Sequence, residues 1–384
     1  MIDHQQPGHT VRVTGTGSYL PGEPIPFDKV ETVLGELTEV SDDMKRYVKR
    51  ARKMMKQLLG MDYYYYAMDP HTGEPNELPS TMSAKACKVA MDAAGIGPED
   101  VDLLIYGGAA QDRMTCPPTT TFIQQHLGIK RTAEISIHSN CTSTYKGMQV
   151  ATDGIASGRY KTALVCSANM MSNMFHADAL NQKKLTRHQA MIRWFLCDGA
   201  GAMVLQRDDL TDGKGLRMLD TMIESVGIAE EPHMYTNIGA GTRIKYAYEN
   251  GDHHLTQNFN QVSNIGPQFF MDGLKRFANQ IGIDPSNSDD VESIQYFLAN
   301  VPTDHLVDIG MDVAKQEWGL ALEHFQRVLY STVSNRGYMG PVAILVTLDE
   351  LVRKVGLNDG DLVASFVTES SKWMNAGFMM RYDA

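Results

Sequence analysis

Short apolar runs alternate with amphipathic stretches along most of the chain. The runs VDLLIYGGA, AEISIHS, KTALVCSA and GAGAMVLQR are typical of buried strands, because they are short, rich in branched residues and bounded by glycine or polar residues. Between them, apolar residues recur at helical spacing, as in the stretch from Ser41 to Gly60, where Ser41, Asp42 and Asp43 indicate a helix start and Gly60 a stop. This alternation predicts an α/β fold with mixed sheets.

The second half of the chain repeats the alternation of the first. The strand-like runs IQYFLANV and DLVASFVTES and the helical stretch DHLVDIGMDVAKQEWGL follow a point near Arg207. We therefore interpret the chain as two duplicated halves, residues 1–207 and 208–384.

Composition narrows the class of protein. The 384 residues carry a net charge of -11, which argues against nucleic acid as a partner. The five cysteines are scattered, without a CxxC pair or a Cys/His cluster, so we expect neither a disulfide framework nor a metal site. The polar N-terminus and the lack of a long apolar run predict no signal peptide and no membrane span. We expect a cytoplasmic protein.

One cysteine differs in its setting from the other four. Cys141 lies where the strand AEISIHS meets the next helical stretch, among the small polar residues SNCTST. The unpaired N–H groups and positive dipole end of a helix start favour a thiolate, which can attack a thioester and hold an acyl group. Cys87, Cys166 and Cys197 are interpreted as small core residues. A structural role for Cys141 is the default for such a cysteine taken alone.

The order of several motifs changes that default. Cys141 with its helix, then ALVCSA, CDGAGAMVL and GPVAILVTLDELV, resembles the β-ketoacyl-acyl-carrier-protein synthase III branch of the thiolase superfamily. The stretches YYYYAMDPHTGEPNE, RWFLCDGAGA and IQYFLAN resemble the relatives that build dialkylresorcinols and aryl polyenes. The resemblance implies a five-layer αβαβα thiolase fold, a homodimer or a heterodimer with a paralogue, and an acyl-cysteine intermediate. It implies that Cys141 is the nucleophile.

The sequence departs from this family at two positions. Condensing relatives pair the cysteine with a histidine and an asparagine. In YFLANVPTDHL the histidine position holds Asn300, and in RGYMGPVA the asparagine position holds Tyr338. Asn300 and Tyr338 either fill the pocket or donate hydrogen bonds to an acyl carbonyl. In an alternative register His305 and Asn335 complete the triad with Cys141.

Two segments are candidates for partner binding. The helix after Ser41 is rich in lysine and arginine, including Lys45, Arg46, Lys49 and Arg50, and is either a solvated face or a dock for an acidic carrier protein. The loop AAQDRMTCPPTT lies where some relatives carry a glutamate that reaches the partner's active site. It has no glutamate, and Cys116 falls near that position.

These observations favour an acyltransferase of secondary metabolism, of the polyketide type. Cys141 would take an acyl group from acyl carrier protein or acyl-CoA and pass it to an acceptor. No cofactor is expected, since the phosphopantetheine arm or coenzyme A arrives as part of the substrate. The alternatives are a decarboxylative condensing enzyme that uses His305 and Asn335, and a supporting subunit of a heterodimeric ketosynthase.

Overall fold

The computed structural model describes residues 8–318 and 327–384 of the chain. Within these ranges the strands, numbered in chain order, are β1 (Val11–Tyr19), β2 (Ile25–Pro26), β3 (Tyr63–Tyr64), β4 (Leu103–Gly107), β5 (Ala133–Ile137), β6 (Thr162–Asn169), β7 (Gly199–Arg207), β8 (Gly215–Ser225), β9 (Met234–Tyr235), β10 (Thr256–Gln257), β11 (Tyr296–Ala299), β12 (Leu329–Tyr330), β13 (Leu362–Glu369) and β14 (Met374–Asp383).

The helices of the same ranges complete the alternation. They are α1 (Val30–Leu34), α2 (Asp42–Leu59), α3 (Pro79–Ala94), α4 (Thr119–Leu127), α5 (Ser143–Ala156), α6 (Ser172–Phe175), α7 (Ala177–Leu180), α8 (Arg187–Ile192), α9 (Ile244–Asn250), α10 (Phe259–Ile281), α11 (Ser288–Glu292), α12 (Asp304–Trp318), α13 (Val333–Arg336) and α14 (Ala343–Glu350).

Ten of these strands form one mixed sheet. Its order is β12-β11-β13-β14-β8-β1-β7-β6-β4-β5, so the five strands that precede Arg207 lie on one side and the five that follow it lie on the other. The two sets meet where β1 pairs antiparallel with β8, at Arg12 with Arg217 and Val13 with Leu216. The predicted boundary falls at the end of β7, and the assignment of two domains stays a prediction.

Helices cover both sets of strands and separate them. One core cluster joins Tyr145 and Met148 of α5 and Ile344 and Leu348 of α14 to strands of both sets. A second cluster packs α3 and α4 on the outer face of β4, β6 and β7. A third packs α10 against β11 and β13. The layers therefore run helix, strand, helix, strand, helix, with α5 and α14 in the centre, because each sheet face buries its apolar side chains under helices.

Local signals in the sequence explain several element boundaries. Ser41 caps α2 by accepting a hydrogen bond from the backbone N–H of Met44, and Gly60 ends that helix in the left-handed conformation. At Gly15 a Cβ atom would lie 2.1 Å from the carbonyl oxygen of Ala90, so only glycine lets α3 approach β1 this closely. Asn258 caps α10 by accepting a hydrogen bond from the backbone N–H of Gln261, and Pro267 lies inside this helix.

Candidate active site

Cys141 lies in the turn between β5 and α5. The turn runs from Ser139 to Thr142, and the helix begins at Ser143, so the cysteine precedes the first helical residue by two positions. Its side chain is half-buried, and Sγ is 3.3 Å from the hydroxyl oxygen of Tyr338. The structure thus brings together the predicted nucleophile and Tyr338, the residue that we align with the asparagine of condensing relatives.

A glycine-flanked loop carries Tyr338 to the sulfur. Gly337 and Gly340 have φ angles of 72° and 54°, a conformation that disfavours side chains with a Cβ. The carbonyl of Tyr338 accepts a hydrogen bond from the backbone N–H of Cys197 at 2.9 Å. The tyrosine side chain is buried, and the loop fixes its direction toward Cys141.

An apolar cavity of about 200 Å³ lies beside Cys141. It lies between α10 and α12, and the ends of β11 and β13 close it from below. Its lining is mostly aliphatic and aromatic, and includes Val262, Phe270, Leu274, Phe297, Leu306, Val307, Gly310, Met311, Ala314 and Phe366. From Val262 to Leu274 the cavity follows α10 for roughly 18 Å, given a helical rise of 1.5 Å per residue. This shape suits an extended hydrocarbon chain.

Asn300 is the buried amide of this cavity. It follows β11 directly and is 2% exposed. Neither its side-chain oxygen nor its nitrogen has a hydrogen-bond partner among the described residues. The neighbouring Tyr145 hydroxyl pairs with Ser365 Oγ at 2.7 Å, and the Asn300 amide is near enough to act with Ser365 in lowering the pKa of Tyr145, against the larger effect of burial. A buried amide without partners costs free energy, so this side chain is suited to a polar group of a bound ligand.

The structure corrects our expectation that the helix start favours a Cys141 thiolate. Burial, and then the negative charge of Glu369, raise the pKa of Cys141 to about 12, against the hydrogen bond from Tyr338 and its own backbone amide. Glu369 ends β13 and is 2% exposed. One of its oxygens accepts hydrogen bonds from the backbone N–H groups of Asn140 and Thr142, at 3.1 and 2.9 Å. These N–H groups are therefore taken by a carboxylate.

Sequence reasoning missed Glu369. The available signal was a glutamate at the end of an otherwise buried strand, LVASFVTE, where an acidic side chain needs partners. Nothing in the chain order links it to Cys141, which is more than two hundred positions away.

The residues of the alternative register lie elsewhere. His305 is exposed on the first turn of α12, and Asn335 is exposed on α13. Thr303 Oγ1 accepts a hydrogen bond from the backbone N–H of Leu306 and sets the start of α12, so that Leu306, Val307 and Gly310 face the cavity while His305 does not line it. The structure does not bring His305 and Asn335 to Cys141.

The basic residues of α2 divide into two groups. Lys45 and Arg46 form ion pairs with Asp42 and Asp43 of the same helix. Lys49 and Arg50 are exposed, with no ion pair to a described acidic residue. Because α2 also contacts α12, the basic surface of Lys49 and Arg50 lies on an element next to the cavity wall.

The other cysteines occupy two kinds of position. Cys87, Cys166 and Cys197 are buried in the core, as predicted, and Cys116 is exposed. The loop of Cys116 is anchored by Asp112, which accepts hydrogen bonds from the backbone N–H and the hydroxyl of Ser80. Cys116 does not line the cavity of Cys141 in this chain.

Two further observations concern the described residues as a whole. None of their helices combines the length and apolar character that crossing a membrane requires. Within the same residues, no three histidine, cysteine or acidic side chains form a group that could hold a metal ion.

A cysteine before a central helix, between two five-stranded halves of a covered sheet, defines the thiolase fold. Solved structures share this architecture. One described as AbyA1, a tetronic acid condensing enzyme, matches with a TM-score of 0.77 at 22% identity, over 97% of this chain and 99% of that one. OleA from Xanthomonas campestris matches with a TM-score of 0.78 at 15% identity, over 98% and 97%. The predicted thiolase fold is confirmed.

Sequence comparisons carry the similarity further. Residues 135–227, which include Cys141, match the family model of 3-oxoacyl-[acyl-carrier-protein (ACP)] synthase III. A β-ketoacyl-[acyl-carrier-protein] synthase III of Symbiobacterium thermophilum is 26% identical over 356 residues, which are 92% of each chain. The comparisons support a ketosynthase III-like chain of the thiolase superfamily.

Proposed function

We propose that this protein is an acyltransferase of the ketosynthase III type that forms a thioester on Cys141. The observation that supports it best is the apolar cavity, because the half-buried Cys141 lines it together with apolar side chains along α10 and α12. An acyl chain in this cavity would place its thioester carbon beside Sγ. Burial of each methylene would contribute about 0.8 kcal/mol to binding.

The transfer step balances without a cofactor. The Cys141 sulfur bonds to the acyl carbon, the bond between that carbon and the donor sulfur breaks, and the Cys141 proton leaves with the thiol of coenzyme A or of the phosphopantetheine arm. The Asn300 side-chain amide is free to donate to the carbonyl oxygen as its negative charge develops. The Tyr338 hydroxyl, 3.3 Å from Sγ, is placed to share the proton during the transfer.

Transfer is favoured over decarboxylative condensation by the groups around Cys141. An enolate formed from a malonyl thioester needs strong donors, and each such donor typically contributes roughly a hundredfold or more in rate. No histidine is among the described residues that line the cavity, and Tyr338 occupies the space next to the sulfur. Condensation is the second candidate function, because the structurally similar AbyA1 is described as a condensing enzyme.

Acyl carrier protein is the proposed partner on one surface, and a second subunit on another. Lys49 and Arg50 are exposed on α2, a helix that contacts α12 of the cavity wall, and we propose that an acidic carrier docks there. Strand β5 is an edge of the ten-stranded sheet, with β4 as its neighbour on one side. An open edge of this kind favours pairing with the same strand of a second copy, or of a paralogue in a heterodimer.

Intact-protein mass after incubation with dodecanoyl-CoA tests the proposal. We expect the mass of one dodecanoyl group, mapped to Cys141 and absent from Cys141→Ser. Cys116→Ser is the matched control and should still be acylated, because Cys116 does not line the cavity.

The same samples, incubated with malonyl carrier protein, report on condensation. We expect little release of labelled CO2. Acylation of Cys116 alone would overturn the assignment of the nucleophile. Brisk CO2 release from the acylated protein would replace acyl transfer by condensation.

A further inference from the structure

The turn that presents Cys141 is built around a single buried carboxylate. One oxygen of Glu369 accepts the backbone N–H groups of Asn140 and Thr142, together with the hydroxyls of Ser139 and Thr142 at 3.0 and 2.6 Å. The other oxygen accepts the hydroxyl of Ser371. Cys141 is the residue between the two amides, so the carboxylate grips the backbone on both sides of the nucleophile.

This arrangement reverses the usual electrostatics of a helix start. Amides at a helix N-terminus carry partial positive charge and stabilise a nearby anion, which lowers the pKa of a cysteine there. Here the negatively charged carboxylate of Glu369 already accepts hydrogen bonds from those amides. A second anion on Cys141 would have to form beside it, at a buried site where two like charges repel strongly.

The remaining charged and titratable groups do not cancel this effect. Lys146 of α5 is half-buried and donates to Ser139 Oγ at 2.8 Å, and that hydroxyl in turn donates to Glu369. Burial lowers the pKa of Lys146, against the charge of Glu369. Tyr145 on α5 and Tyr338 on the facing loop are neutral, and burial raises the pKa of both hydroxyls.

We propose that Glu369 is a positioning residue that holds the Ser139–Thr142 turn around Cys141 and keeps the nucleophile in its thiol form until a substrate is bound. The resting thiol is therefore protected from electrophiles and oxidants, which react with the thiolate. The proton leaves Cys141 only when an acyl donor in the cavity supplies a departing thiolate to accept it. The first part of this inference, the protonation of Cys141, stands independently of the proposed acyl transfer.

Alkylation by iodoacetamide as a function of pH tests it, with Cys141 followed by peptide mass so that exposed Cys116 is counted separately. In the wild-type protein the alkylation rate of Cys141 should keep rising beyond pH 10, well above the ordinary thiol pKa of about 8.5. Glu369→Gln keeps the shape of the side chain and removes its charge. We expect the apparent pKa of Cys141 to fall by about one to three units.

At pH 7.5 the rate for Glu369→Gln should rise at least about threefold, since a tenfold gain in thiolate per pKa unit is partly offset by lower nucleophilicity. Glu369→Asp is the matched control, because it keeps the charge and shortens the reach. In this variant the apparent pKa of Cys141 should stay high, while acylation of Cys141 by dodecanoyl-CoA slows. A purely structural role predicts slower reaction in both variants.

Three results would overturn the inference. The first is an apparent pKa near 8.5 for Cys141 in the wild-type protein, a measurement that does not depend on the folding of any variant. The second is an unchanged apparent pKa in folded Glu369→Gln, and the third is an equal fall in Glu369→Asp. Failure of acylation with the expected alkylation profile would instead remove the proposed transferase function and leave this inference intact.

Discussion

Gly310 offers the sharpest test of the acyl cavity. It lies on α12, lines the cavity, and a Cβ atom built there has no described atom within 4 Å. A larger side chain at this position therefore enters empty space and removes room from the bound chain without displacing the protein. Gly310→Leu adds four carbons, which is the volume of about four methylenes.

The size of the effect follows from the burial of that chain. At about 0.8 kcal/mol for each methylene, displacing four of them lowers transition-state stabilisation for a long donor by about 3 kcal/mol, or roughly a hundredfold in kcat/KM. An acetyl group ends near Cys141 and does not reach Gly310. The variant should therefore lose activity toward dodecanoyl-CoA and keep its activity toward acetyl-CoA.

The assay compares kcat/KM for formation of acyl-Cys141 from the two donors, measured by quenched-flow mass spectrometry. Gly310→Ala is the matched control and should cost about fourfold with dodecanoyl-CoA, the equivalent of one methylene. It should also raise the free energy of unfolding by about 0.5–1 kcal/mol, because alanine is the better helix residue. Equal losses with both donors, or none with either, would refute an acyl chain along α12.

Two further predictions concern the sulfur and the carrier. Tyr338→Phe removes the hydroxyl that is 3.3 Å from the sulfur of Cys141. We expect acylation of Cys141 by dodecanoyl-CoA to slow by roughly threefold to tenfold, the value of one hydrogen bond. An unchanged rate would mean that the hydroxyl only fills space. The double change Lys49→Glu and Arg50→Glu should slow loading from acyl carrier protein at low salt and leave loading from a short synthetic thioester unchanged, because exposed charges steer association. Lys45→Glu with Arg46→Glu is the control and should have a smaller effect, since both residues already pair with Asp42 and Asp43. Equal losses with both donors would exclude docking of the carrier on α2.

Much of the fold was predictable because its signals are local. The start of α2 at Ser41, its end at Gly60 and the buried runs of β4, β6 and β7 depend on capping, glycine conformation and apolar periodicity within a few residues. Pro267 is a local signal that differs from the structure, because proline disfavours the interior of a helix and yet lies inside α10, whose first turn is capped by Asn258.

The chemistry of the nucleophile divides differently between sequence and structure. The position of Cys141 at the junction of β5 and α5, among small polar residues, could be predicted from the order of motifs. That Asn300 and Tyr338 replace the histidine and asparagine of condensing relatives stays a prediction. The protonation state of Cys141 could not be predicted from the sequence, because it depends on Glu369, a residue of the other half of the sheet. The exposure of His305 likewise depends on the turn of α12 that faces Phe297 and Phe366 across the cavity.

The sequence by itself determined the alternation of elements, the two-half organisation that we predict and the candidate nucleophile, since each rests on residues close together in the chain. Only the tertiary structure decided which side chains share a cavity with Cys141 and which charge lies beneath it. The physical reason is that electrostatic and packing energies depend on distance in space, and β13 brings Glu369 to the turn of Cys141 from far along the chain.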